Sequence, residues 1–361
     1  MRVLCAALIA FMLVGCSSRP DQDVLRPQSV EEPAGARVVQ VNVVTTRAPE
    51  AEAPWAYGAN RAARPHYSAY AISIPPGHES GKIEWPPNGA VADPATDFVT
   101  LRQQDLSRSS FLSRMGRDGV GVYVHGYNTS YQEALYRLAQ LATDAHLEGT
   151  PVLFSWPSQA HVAAYMADRD GSDYSRTALV GLLTDLTAGR SPNRPVIVLG
   201  HSMGGRLTME ALLQLRLTGR GDVLDRLEVV LAAPDIDIDL FRDQISVIGR
   251  MRHPITILVS ADDQALRVSA RLAARRTRLG QVDVRDPAVQ ALALQNGVRI
   301  VDITNLPTDD PAHSRYVGLL SGDSREANAA LSSLNGVRQA GAFIFGQLGD
   351  ALYGIGGALS D

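Results

Sequence analysis

The stretch that most restricts how this chain can fold runs from Val196 to Gly205 and reads VIVLGHSMGG. Val196, Ile197, Val198 and Leu199 form an apolar run too short for a buried helix and rich in β-branched residues, as a central parallel strand should be. After Gly205 comes RLTMEALLQLRL, with Leu207, Ala211, Leu212 and Leu215 at helical spacing. Strand and helix are therefore joined by a very short turn, in which Ser202 has Gly200 and Gly204 two places away on either side. A side chain at either glycine would collide with neighbouring backbone in so sharp a turn. Glycine and serine end strands simply because turns need them. A serine held out of such a turn is also presented as a nucleophile, in the pattern G-x-S-x-G. Three fixed positions decide little alone; the strand before and the helix after carry the chemical reading.

The rest of the chain repeats that grammar. Arg37 to Thr45 and Tyr67 to Ile74 read as strands with no helix between them, hence antiparallel at an edge. Gly119 to Val124, Pro151 to Ser155, Leu227 to Ala232, Ile255 to Val259 and Val298 to Ile303 read as further strands. Ser130 and Glu133 form a capping box ahead of a helical face of Ala134, Leu135, Leu138, Leu141 and Ala142. A helical pair is expected across Ala160 to Ala188, with helices at Phe241 to Met251 and Ala265 to Arg276. This alternation predicts an α/β fold, a mainly parallel sheet with an antiparallel N-terminal edge and helices on both faces. Ligands in such sheets bind at the carboxyl ends of the strands. Ser202, His125-Gly126, Asp235, Asp263 and the segment after Ile303 all fall there.

The ends read differently. Met1-Arg2 is a short basic start, and Val3 to Val14 is too short to span a membrane permanently. Residues 1–15 are a signal peptide. Leu13-Val14-Gly15-Cys16 resembles the bacterial lipobox, which implies cleavage before Cys16 and a lipid on its sulfur; Ser17 rather than aspartate favours the outer membrane. Residues 16–36 are expected to be a membrane tether, 37–340 the folded domain, and 341–361 a glycine-rich apolar tail. With Cys5 removed and Cys16 acylated, no thiol remains for a disulfide or a metal. A net charge of −4 gives no argument for nucleic acid as a partner.

A serine hydroxyl needs a base to take its proton, and the base needs an acid to hold its tautomer. On a strand-to-helix elbow the chain order is serine, acid, histidine. The histidines after Ser202 are His253 and His313. His253 precedes Pro254 at the start of a strand, the wrong end of the sheet. His313 lies in the loop PTDDPAHSRY, beyond the last strand. The acid is open between Asp262 and Asp263, with Asp235, Asp237 and Asp239 on an earlier strand as alternatives or as helix caps near Leu240. No EF-hand glycine and distal glutamate follow them, so no metal is expected, and no cofactor is called for. The backbone amides of Met203 and Tyr127 are the candidate oxyanion hole, with His125 shaping the loop. Trp156, Tyr165 and Tyr174 are candidate walls of a substrate pocket, or ordinary helix packing.

The ordered set IPPGHESGKIEWP, VHGYNTSYQEA, FSWPSQ, GHSMGG, LAAPDIDIDLF, SADDQAL and DPAHSRY resembles an α/β-hydrolase family of unknown function, typified by bacterial esterase-like proteins. The resemblance covers roughly Val38 to Leu320. It implies Ser202 as nucleophile, His313 as base and, through the D-x-A-L form of Asp263 to Leu266, Asp263 as acid. It specifies no substrate. The expected chemistry is a serine hydrolase, most simply a carboxylesterase on a small-molecule ester with a short or medium acyl group, anchored to the membrane through lipidated Cys16. A serine peptidase or amidase would use the same triad. A non-catalytic hydrolase-fold lipoprotein with envelope protein partners is the third reading.

Overall fold

The computed structural model describes residues 19–116, 119–147, 149–306 and 312–321. The signal peptide, Cys16 and the tail from Gly341 to Ser360 lie outside the described residues. β1 (Arg37–Pro49) and β2 (Tyr57–Ile74) form a long antiparallel hairpin, and β3 (Val99–Leu106) returns antiparallel along its outer edge. After α1 (Arg108–Ser113) comes the alternation β4 (Val120–Val124), α2 (Tyr131–Asp144), β5 (Thr150–Ser155), α3 (Tyr165–Thr187), β6 (Val196–His201), α4 (Met203–Leu217). It continues through α5 (Gly221–Leu224), β7 (Leu227–Ala232), α6 (Ile238–Ile248), β8 (Thr256–Val259), α7 (Gln264–Leu272), α8 (Pro287–Asn296), β9 (Arg299–Asp302) and α9 (Arg315–Ser321).

Among the described residues these strands form one nine-stranded sheet, in the order β3-β2-β1-β5-β4-β6-β7-β8-β9. From β1 across to β9 every neighbouring pair is parallel. The expected α/β architecture is therefore the observed one, with the antiparallel strands at the N-terminal edge.

The central strands read as unbroken apolar runs because both faces are covered. Val196 and Val198 pack on one face with α3, α4, α6 and α8, while Ile197 and Leu199 pack on the other with α2 and α9. Ser130 caps α2 as expected: its hydroxyl accepts from the Glu133 amide while Glu133 accepts from the Ser130 amide.

Four elements differ from expectation. The helical pair across Ala160 to Ala188 is one helix of 23 residues, α3. Gly171 resembles a break in the sequence, but it lets the helix pass Pro157, whose carbonyl a Cβ would approach to 2.5 Å. The described part of the expected tether, from Arg19 onward, lies against the domain. Leu25 is fully buried between α2 and β3, Tyr136 donates to Val24 O at 2.7 Å, and Gln28 N donates to Thr100 O at 2.9 Å. Leu25 is the apolar anchor of this polar stretch, and hydrogen bonds from its neighbours complete the docking. β3 and α8 carry no clear pattern in the sequence and form by packing at the edges of the sheet.

Candidate active site

Ser202 sits between β6 and α4 at φ 54° and ψ −119°. A non-glycine residue held there costs on the order of 1–3 kcal/mol, so its surroundings must enforce it. The Ser202 amide donates to Ala232 O at 2.9 Å, and its carbonyl accepts from Gly205, Arg206 and Asp235 at 3.0, 3.3 and 3.2 Å. Gly200 admits the start of α4: a Cβ there would lie 2.9 Å from Gly205 Cα. At Gly204 a Cβ would overlap the carbonyl oxygens of Val124 and His125. Both glycines are required by close backbone approach, as the turn predicts.

Opposite the elbow, His313 Nδ1 lies 2.7 Å from Asp263 Oδ2. Asp263 is completely buried, and its other oxygen accepts from Leu266 N at 3.0 Å as the N-cap of α7. One carboxylate thus starts a helix and meets an imidazole, which fixes its rotamer. Asp262 points away. It forms a two-pronged pair with Arg315, at 2.6 and 2.9 Å, and accepts from Ser260 Oγ at 2.7 Å. The hydrogen bonds from Arg315 hold its carboxyl well below the usual range.

Met203 is the first residue of α4, so its amide belongs to the helix N-terminal set without an i−4 carbonyl. Tyr127 is reached through Gly126, which lets the loop after β4 approach the elbow. A Cβ on Gly126 would lie 3.0 Å from Ser202 Cβ and 2.9 Å from His201 Nδ1. Asp168, fully buried on α3, holds this loop by accepting from Asn128 N at 3.0 Å and Ser158 Oγ at 2.6 Å. His125 is fully buried between Gly126 O and the Trp156 backbone. Burial, together with the Arg47 charge, pulls it down to about 3, so it is a neutral loop-shaping ring.

The three expected pocket walls separate. Tyr165 packs edge-on against Tyr127 at 5.4 Å and donates to Asp235 Oδ2 at 2.9 Å. Trp156 is not a wall: it is fully buried, stacked on His125 at 4.8 Å, with its indole N–H on His125 O at 2.8 Å. Nor is Tyr174, which faces β2, donating to Ala62 O at 2.7 Å beneath Arg61. Its position on the long α3 turns it away from Tyr165.

His201, and the partners that surround Asp235, carry no signal in the sequence. His201 Nε2 lies 3.1 Å from His313 O, and its ring stands 4.8 Å from His313 and 4.7 Å from Tyr316. Burial first, and then His313, holds His201 well below its ordinary pKa, so it is neutral and donates through Nε2. It braces the backbone that carries His313. Buried Asp235 accepts from Ser269 Oγ at 2.6 Å and lies 3.2 Å from Arg278 Nε. Asp237, by contrast, caps α6 through Asp239 N and Leu240 N, the structural role its spacing allowed. His253 meets Pro192 O at 2.8 Å, at the amino end of the strands.

Among solved structures, the chain is similar to the esterase Est22 at 14% identity and a TM-score of 0.35, covering 91% of this chain and 87% of that one. A structure from an analysis of two Rhizomucor miehei esterases aligns at 13% identity and a TM-score of 0.31, covering 87% of each chain. No curated protein matches the sequence. The family model described as alpha/beta hydrolase of unknown function (DUF900) matches residues 102–319, more than half the chain and the alternation from β4 into α9, and the chain belongs to that family.

Proposed function

We propose that this α/β hydrolase is a membrane-anchored serine carboxylesterase acting on short or medium acyl esters. The observation that carries the reading is the 2.7 Å contact of His313 with buried Asp263 at the carboxyl edge that also holds the strained Ser202 elbow. Ser202 Oγ attacks the acyl carbonyl carbon as its proton passes to His313 Nε2, while Asp263 holds the Nδ1 proton. The Met203 and Tyr127 amides receive the oxyanion. Collapse breaks the bond to the alcohol oxygen, which takes the proton from His313. Water, activated by the same imidazole, then releases the acid and restores Ser202. The acyl length is supported by Tyr165, which packs on Tyr127 and ends in the polar group of Asp235, Ser269 and Arg278. A long alkyl chain would have to lie against those groups.

A fluorescent fluorophosphonate tests this directly. The wild-type chain should be labelled, and Ser202→Ala and His313→Ala should not. No labelling of folded wild type would sink the proposal, and turnover peaking at long-chain esters would sink the acyl-length part. Amides turned over as fast as matched esters would make the chain an amidase or peptidase instead.

A further inference from the structure

Arg19 is the first described residue and follows Cys16 by three positions. Its guanidinium donates to Ala160 O at 2.7 Å and to Asn128 O and Oδ1 at 2.8 and 2.9 Å, with Glu133 Oε2 at 3.4 Å. Asn128 directly follows Tyr127, and Ala160 directly precedes the turn that carries Val162. The N-terminal segment is therefore clamped at the rim of the candidate site, from which Pro20 onward runs along α2 to β3. Three extended residues reach about 11 Å at most. A lipid on Cys16 would therefore be attached within that distance of the rim.

The rim itself is apolar and basic. Val162 and Met166, before and within the first turn of α3, are 71% and 63% exposed; Val268 and Leu272 on α7 are 54% and 64% exposed. The two elements meet through Tyr165 and Ser269, 3.1 Å apart. α7 belongs to an excursion that leaves the sheet's carboxyl edge at Ser260 and rejoins it at Gly280, where Ser260 N donates to Gly280 O at 2.9 Å. It thus lies over the edge near the site. Beside Val268 and Leu272 stand the exposed Arg267, Arg271, Arg275 and Arg276. Apolar side chains among arginines suit the headgroup level of an anionic bilayer, and such a patch is a second attachment signal beside a lipid chain.

We propose that this face lies on an anionic phospholipid surface, held there by lipidated Cys16 and the Arg19 clamp, with the mouth of the candidate site turned toward the bilayer. The substrate class is then an amphiphilic acyl ester presented at that surface. The substrate class rests on the hydrolase reading above; the orientation does not.

The test uses the full chain, lipidated at Cys16, in vesicles of phosphatidylethanolamine with phosphatidylglycerol. Intact mass should show the lipid on Cys16, and its absence overturns the proposal. Val162→Cys, Val268→Cys and Leu294→Cys each give one thiol for an environment-sensitive fluorophore, since the Cys16 sulfur is occupied. Leu294 lies near the end of α8, at the opposite, amino edge of the sheet. A spin-labelled lipid should quench the probes at 162 and 268 severalfold more than the one at 294, and Arg271→Glu with Arg275→Glu should weaken that difference. Equal quenching at all three sites, or quenching at 294 alone, overturns the orientation. An apolar emission at 162 and 268 without lipid quenching also overturns it, because protein would then cover the face, whether residues 322–361 or a second copy. Ser202→Ala should leave the pattern unchanged, so an inactive chain facing the membrane and an active chain facing away give different results. Slower turnover of an ester in these vesicles than of the same ester in solution would overturn the substrate class alone.

Discussion

Asp262 and Asp263 are neighbours of the same residue type with opposite surroundings. One is paired with Arg315 at the surface, the other is buried against His313 and the first turn of α7. Asp263→Asn should keep the fold and lower kcat/KM by roughly 10³–10⁴, the effect of losing the tautomer-holding acid. Asp262→Asn should change kcat/KM by no more than a few-fold, because half-exposed ion pairs contribute about 0–1 kcal/mol. Steady-state kinetics on one ester with both variants separates the two, and equal losses would contradict the assignment. Gly126→Ala makes a different point. Its methyl group would press on His201 and on Ser202 Cβ, so activity should fall by at least tenfold with a much smaller loss of stability. Adjacent aspartates look alike in a sequence, and only the direction of each side chain, set by the cap and the ion pair, tells them apart.

At the scale of elements, the loop between β2 and β3 is tied to the end of α2 by one imidazole. His78 Nδ1 lies 2.7 Å from Glu84 and Nε2 lies 2.8 Å from Asp144, which also accepts from Gly81 N at 2.7 Å. Burial disfavours charge on His78, but the hydrogen bonds to Asp144 and Glu84 outweigh it and raise its pKa above the ordinary 6.5. Asp144 is likewise lowered from 3.8: burial opposes its charge, but the hydrogen bonds from His78, Gly81 and Gln140 outweigh it. A raised histidine stabilises the fold fully below pH 6.5 and loses that contribution as pH climbs through its folded value. The lowered Asp144 contributes above pH 3.8 and loses its share as pH falls. His78→Gln should therefore lower Tm most below pH 6.5, by a few degrees, with the gap narrowing as pH rises through the folded value. Melting curves across that range check it, and a gap that widens with pH would refute the clip. The docked N-terminal segment rests on Leu25. Leu25→Ala should expose the chain before Ala36 to limited proteolysis while leaving the melting of the sheet within about 1 kcal/mol, since such segments open locally.

On the whole-molecule scale, Arg47 joins the antiparallel hairpin to the parallel sheet. It is almost fully buried and donates to Ser155 Oγ at 2.9 Å, Gly58 O and Ser158 O at 3.0 Å, and Thr129 O at 2.9 Å. Burial pulls its guanidinium down to about 10, and the nearby Asp168 charge works against that shift. Arg47→Met would leave several buried acceptors without a donor. It should destabilise the domain by roughly 3–5 kcal/mol in denaturant melts. A loss under about 1 kcal/mol would mean that water reaches those acceptors. The same region supports the loop of Tyr127 through Thr129, so this variant should also weaken turnover.

The sequence by itself determined the alternation of strands and helices, the antiparallel edge, the elbow at Ser202 and the cap of α2. Each is a short-range property: periodicity, β-branching and turn chemistry act within a few residues. Tertiary structure alone decided which way the longer-range side chains point. It turned Trp156 into the core against His125 and Tyr174 toward β2, kept α3 whole past Gly171, and set His201 under His313. It also drew a polar N-terminal stretch onto α2 through Leu25 and Arg19. Those outcomes depend on partners up to 141 residues away in sequence, as Arg19 and Ala160 are, and no local pattern encodes such a partner.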